Sequence, residues 1–149
     1  MAHVELSVSE PFAGADRDAP SDPEGSLRRW GRAAAGANEP CLVIDGKFEI
    51  VAISAPACRL LGFPDEESAV GQSVRSGVIP LVDFTSPPVP LPDGDLEKIP
   101  LRLAYTSGRL ARGLLRVQTA TEVHTIDAVS TPLFEGDQPV GSLTFFSRI

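Results

Sequence analysis

Few residues in this chain have the types and spacing that chemistry demands. The cysteines, Cys41 and Cys58, each sit inside an apolar run, and the histidines, His3 and His124, are far apart. Two isolated His and two separated Cys make no ligand cluster, so no metal site is expected. Asp127 follows His124 by three positions on a stretch that reads as a strand, which sends the two side chains to opposite faces. Ser130 and Thr131 have no base partner in view. The chain carries no G-x-S-x-G elbow, no G-K-[ST] phosphate loop and no H-E-x-x-H. No catalytic residue is expected, and an enzyme is kept only as a remote alternative, because absent motifs do not exclude new chemistry. Arg102, Arg109, Arg112 and Arg116 remain. Together they have the chemistry to hold an anion through bidentate hydrogen bonds, although a solvated basic face is the simpler reading.

Composition narrows the class further. At 149 residues and 42% apolar, the chain has room for one domain with a core. No stretch reads as a bilayer span or a signal peptide, and both thiols suit a reduced core, so a cytoplasmic protein is expected. The net charge of −7 is concentrated at one end: residues 1–26 carry six acids against Arg17, a net of −5. The remainder has no basic excess, which argues against direct nucleic-acid binding.

The elements that must position any site follow in order. Residues 1–25 read as a flexible acidic arm, in which Val4, Leu6 and Val8 alternate with polar residues and would pair as a strand if an edge were offered. A flanking helix is expected from Ser26, as cap, to Ala37, with Leu27, Trp30 and Ala34 along one side and the domain following from residue 39. Cys41–Ile44 and Phe48–Ile53 read as a hairpin about a two-residue Asp45-Gly46 turn. Ser54 caps a helix with Pro56 in its first turn and Leu60 and Leu61 on its buried side, closed by Gly62 with Phe63 folding back. Asp65–Val70 reads as a short helix, Gln72–Phe84 as a helix or turn pair, and Thr85–Gly94, with four prolines, as irregular. Asp95–Ser107 has helical spacing, with Leu96, Ile99 and Leu103 aligned and Gly108 as its stop. Gly113–Thr119, Val123–Pro132 and Val140–Phe146 read as three strands, the last two joined through Gly136-Asp137. Two strands, several short helices and three antiparallel strands make an α+β domain, with its short helices gathered on one sheet face.

The stretch Glu39–Phe63, E-P-C-L-V-I-D-G-K-F-E-I-V-A-I-S-A-P-A-C-R-L-L-G-F, resembles the start of PAS sensor domains. The stretch S-T-P-L-F-E-G-D-Q-P-V-G-S-L-T-F-F is similar to the final hairpin of many bacterial ones. The resemblance spans residues 39–149 and implies a five-stranded antiparallel sheet in the order 2-1-5-4-3, with a small cavity between sheet and helices. On that geometry the cavity is lined by Leu103, Tyr105, Val117, Ile126, Ala128, Leu143 and Phe145, or is simply filled by them. The cofactors of such domains are not expected. Flavin members use a helix cysteine in a G-x-N-C-R-F-L-Q-like motif and Asn/Gln amides, whereas Cys58 falls too early and Asn38, the only Asn, precedes the domain. Haem members need a helix histidine, which Asp95–Ser107 lacks.

The resemblance implies a stand-alone signalling module that senses a small apolar ligand or passes a signal by protein–protein contact, linked in bacteria to regulation of transcription. With the chain ending after its last strand, the signal is expected to pass in trans to an unknown partner. The alternative is a structural dimerisation adaptor with a filled core and no ligand. Both faces of the final strands are apolar: Leu143 and Phe145 are expected to point inward, Val140 and Phe146 outward. A homodimer is therefore expected through Leu27, Trp30, Val140 and Phe146, with Trp30 as anchor.

Overall fold

The computed structural model describes residues 25–149. The arm, with its Val4–Val8 alternation, lies outside them. Helix α1 (Gly25–Ala35) comes first. A hairpin follows, of β1 (Cys41–Asp45) and β2 (Ile50–Ile53). Helices α2 (Ala55–Leu61) and α3 (Glu66–Ala69) come next, then a 3-10 turn at Val74–Ser76 and the short β3 (Leu81–Val82). Helices α4 (Asp93–Leu96) and α5 (Pro100–Ser107) lead into β4 (Ala111–Gln118), β5 (Val123–Glu135) and β6 (Gln138–Arg148).

The sheet is antiparallel with order β2-β1-β6-β5-β4-β3. Its five long members keep the expected order, and the two-residue β3 adds a sixth strand at the β4 edge. The expectation of a helix or turn pair over Gln72–Phe84 missed that strand. Leu81 and Val82 are buried there, while Phe84 is 60% exposed.

Two faces divide the apolar side chains. The inner face carries Leu42, Ile44, Ile50, Ile53, Val117, Ile126, Ala128 and Phe146, packed against Leu61 of α2, Val74 and Leu101 of α5. The outer face carries Cys41, Val43, Ala52, Leu133 and Leu143, covered by Ala34, Leu27 and Trp30 of α1. A bulge between Val43 and Ile44 sets Ile44 opposite Ile50, so Val51 is the extra residue. Ile50 and Ile53 can then both face in while Val51 and Ala52 face α1. Gly31 brings the helix close, since a Cβ there would stand 3.3 Å from Val51 Cγ1.

The hairpin turn differs from the expected two-residue form. Asp45 accepts from Phe48 N at 3.1 Å and donates to Glu49 O at 3.0 Å, leaving a three-residue loop. Phe48, not Gly46, takes the left-handed conformation, at φ 66°. The Asp45 carboxylate holds the loop by accepting from Lys47 N and Glu49 N at 2.9 and 3.0 Å.

Helix starts and stops follow local chemistry. Ser54 caps α2, and Gly62 closes it at φ 89° while Phe63 N donates to Cys58 O at 2.8 Å. Ser26 is not the cap of α1. It lies inside the helix, and its N–H donates to Glu135 Oε2 at 2.8 Å. Pro100 divides the expected Asp95–Ser107 helix in two, because it lacks an N–H and begins α5 instead. The buried side of α5 is accordingly Leu101 and Ala104, and Leu103 is 39% exposed.

Candidate functional site

The inner face was expected to hold a cavity under the long helix. There α5 lies directly on the strands. Ser142 Oγ on β6 donates to the Leu101 carbonyl at 2.7 Å, and Ala104 stacks over the sheet with no exposed surface. Beside them Ser130 Oγ and Thr144 Oγ1 share a buried hydrogen bond of 2.6 Å. A hydroxyl bonded to a helix carbonyl leaves no room for a ligand between the two layers at that point.

Of the nominated lining residues, Val117, Ile126 and Ala128 lie in the inner core and Tyr105 is half-buried on α5. Leu143 and Phe145 are on the outer face, and Phe146 is the β6 phenyl that packs inward. The expected facing of Leu143, Phe145 and Phe146 is therefore reversed, while Val140 does face outward. Both outcomes come from one irregularity: Leu133 pairs with Gly141 but Phe134 with Pro139, so the bulge at Val140 shifts the alternation by one residue. Phe146 cannot contribute to an outer interface.

The four arginines do not converge. Arg112 makes a two-pronged bond to Asp127, at 3.1 and 2.6 Å. Arg116 Nη1 donates to the carbonyls of Asp83 and Thr85 at 3.1 and 2.9 Å, pinning the loop after β3 to β4. Arg102 donates to Glu97 Oε1 and to Gly46 O, both at 3.1 Å, and Arg109 is exposed. No shared anion site results.

A cluster that sequence reasoning missed forms around Arg102. Its guanidinium and that of Arg75 each stand 5.3 Å from the centre of the fully buried Phe48 ring. Both pair with Glu97, whose carboxyl is held below the ordinary glutamate range by the Arg102 hydrogen bond first and the Arg75 bond second. The cluster ties the β1–β2 turn to the 3-10 turn and the α4–α5 junction. Its members lie far apart in sequence, so no local pattern could have announced it.

The thiols are placed as core residues. Burial pushes both Cys41 and Cys58 above their ordinary values, against the thiolate that covalent chemistry requires. His124 is buried on the inner side of β5 with neither ring nitrogen hydrogen-bonded, and the Glu122 carboxylate is 3.9 Å away. Among the described residues, no three His, Cys, Asp or Glu stand where they would hold a metal ion. No helix among them is long and apolar enough to cross a membrane.

Two surface features complete the site. Beyond α1 the outer face exposes Phe145 (41%) and Leu114 (53%), with Val129 opposite Phe145. At the other border, α5, β4 and the loop after β3 enclose an open groove of about 290 Å³ lined by Phe84, Leu91, Ile99, Leu103 and Leu114 among others.

A hairpin leading into a capped helix, short helices on one face, and a sheet ordered β2-β1-β6-β5-β4 can be compared with solved structures. A PAS domain from Colwellia psychrerythraea superposes with a TM-score of 0.57 at 19% identity, covering 83% of this chain and 96% of that one. This is a PAS fold. A LOV protein from Rhodobacter sphaeroides has a TM-score of 0.62 at 16% identity, over 86% of this chain and 69% of that one. The PAS domain of a two-component sensor histidine kinase has 0.53 at 10% identity, over 83% and 96%. No protein-family model matches the sequence, and no curated protein matches it significantly. At these identities the PAS likeness is one of fold.

Proposed function

We propose that this protein is a PAS signalling module that works by protein–protein contact, as a homodimer joined through the open part of its outer sheet face. The observation that carries the reading is the uncovered apolar surface at Phe145 and Leu114, beside a helix that lies chiefly on β1 and β2 and reaches β5 and β6 only in part. Large apolar side chains grouped on one face of a sheet mark contact surfaces. A two-fold axis would bring the same patch of a second copy against it. The half-buried Leu27, Trp30 and Val140 border this surface. Reading, rather than chemistry, is the proposed activity: no enzymatic step is assigned. Control of transcription, through a cytoplasmic partner acting in trans, is the biological role that fits such a module.

A second reading, sensing of a small apolar ligand, is favoured by the groove at Leu103 rather than by the packed space under α5. Native mass spectrometry separates the two, since a sensor purified from its host would carry a small molecule. The dimer itself is tested by sedimentation equilibrium at tens of micromolar. The wild-type chain should sediment as a dimer and Phe145→Glu as a folded monomer. A monomeric wild type overturns the proposal.

A further inference from the structure

The open outer patch and the groove meet at one residue. Leu114 is 53% exposed on the outer face, and it also lines the groove. On β4 the buried Leu115 and Val117 face the inner core, so Leu114 and Arg116 face outward by the two-residue period. The Arg116 guanidinium stands 5.9 Å from the centre of the Phe84 ring, and so keeps that exposed ring beside the outer rim of β4. Phe145, Leu114 and Phe84 thus mark one apolar run, from β6 across β4 to the loop after β3.

The size of a dimer contact decides how far along this run a second copy reaches. Leu114 pairs with Asp127 and Phe145 with Val129. Phe145 and Leu114 therefore stand about 12 Å apart, two strand spacings across and two residues along. A stable contact covers about 800 Å² on each partner, a patch roughly 30 Å across. Toward β1 and β2 the outer face is taken by α1, whose exposed side carries Arg28, Arg29 and Arg32. In the other direction the apolar surface continues, to Phe84 at the mouth of the groove. A contact centred on Phe145 and Leu114 extends over that mouth.

The lining decides what the groove can hold. Leu91, Ile99, Leu103 and Leu115 give it apolar walls. Of the charged groups around it, Arg112 is bonded to Asp127, Arg116 to the loop after β3, and Asp83 to the amides of Thr85 and Val89. The other two, Asp95 and Lys98, are of opposite sign. None of these calls for a charged ligand. Its volume of about 290 Å³ lies at the lower end for ligand sites, about 300–1,000 Å³, and suits a compact molecule.

We propose that the groove binds a compact, uncharged apolar molecule and is closed by the second copy of the dimer, which lies over Leu114 and Phe84. The inference rests on the homodimer proposed above. A molecule held there touches both copies, so it stabilises the dimer, and dimerisation raises its affinity by the same factor. The signal that the module passes is then its own state of association.

N-phenyl-1-naphthylamine, an uncharged apolar dye that fluoresces when shielded from water, serves as the probe for the full-length chain. It is titrated against wild type above and below the dimer dissociation constant, and against Phe145→Glu. The wild-type dimer should bind the dye about tenfold more tightly than the diluted wild type or the variant. In sedimentation equilibrium, saturating dye should lower the dimer dissociation constant by a like factor, and Leu103→Glu should abolish that effect. Equal dye affinity in dimer and monomer, or no binding to the dimer, overturns this inference and leaves the dimer standing. Dye that still tightens the dimer of Leu103→Glu acts elsewhere and overturns the assignment to the groove. A wild type that is monomeric with and without dye overturns the dimer, and this inference with it.

Discussion

Ser54 shows how much one side chain can carry. Its hydroxyl accepts from Ala57 N at 3.2 Å to cap α2, accepts from Cys41 N at 3.0 Å, and donates to Glu39 O at 2.7 Å. It thereby joins the start of β1 to the end of β2, with no exposed surface. Ser54→Ala removes the cap and leaves a buried N–H of β1 unpaired. The expected loss is about 2 kcal/mol in urea denaturation, from the cap and the orphaned donor together. Glu97 is the second such residue, with a different dependence. Its carboxyl titrates below the ordinary glutamate value because Arg102 and Arg75 bond the charged form. A depressed carboxyl contributes stability that is present above its unfolded pKa and lost as pH falls through the folded one. Thermal melts of wild type and Glu97→Gln should therefore differ most near neutral pH and converge in acid, below the ordinary glutamate value. A difference that stays constant into acid would show that the pairing is not what stabilises the cluster.

At the scale of elements, α1 is held from outside itself. Glu135, from the far end of β5, supplies an acceptor and a negative charge at the helix N-terminus, where both are favourable. The helix covers one half of the outer face and carries the only tryptophan of the chain, Trp30. Glu135→Ala should cost about 1 kcal/mol. It should also let α1 lift before the sheet unfolds, so that Trp30 emission shifts at lower denaturant than the far-ultraviolet signal. Coincident transitions would mean that apolar packing alone keeps α1 in place. The same logic of distant partners applies to the loop after β3, which Arg116 and Asp83 fix. Asp83 Oδ1 accepts from Thr85 N and Val89 N at 3.1 and 3.0 Å, folding the proline-rich stretch back against Val82.

For the whole molecule, the PAS fold divides its apolar residues between a closely packed inner layer and an outer layer that one helix leaves partly open. The inner packing bears on cofactors. Ser142 bonded to Leu101 O brings α5 onto β6. The buried Cys58 belongs to the first short helix after the hairpin, and its thiol is pushed up rather than down. The purified protein should therefore be colourless, with absorption confined to the aromatic band. A flavin spectrum or a Soret peak would require α5 to stand away from the strands.

Much of this was legible in the sequence wherever one residue decides a local geometry. The caps and stops at Ser54, Gly62 and Gly108, the turn at Gly136 and the five long strands were accessible, because they depend on local preference and on a strongly apolar pattern, whereas the order of those strands came from the resemblance to PAS domains. That Pro100 begins a new helix was shown only by the structure. Facing was another matter. Alternation along β6 assigns Leu143 and Phe145 to one face, correctly as a pair, yet which face that is depends on the bulge at Val140, and that is fixed by pairing with Leu133 and Phe134 across the hairpin. The Phe48–Arg75–Glu97–Arg102 cluster, the capping of α1 by Glu135 and the half-covered edge of β4 likewise join segments from different parts of the chain. The sequence alone settled which segments become strands and helices, through periodicity and capping. Register and facing were decided only in the tertiary structure, because each depends on where a distant segment comes to rest.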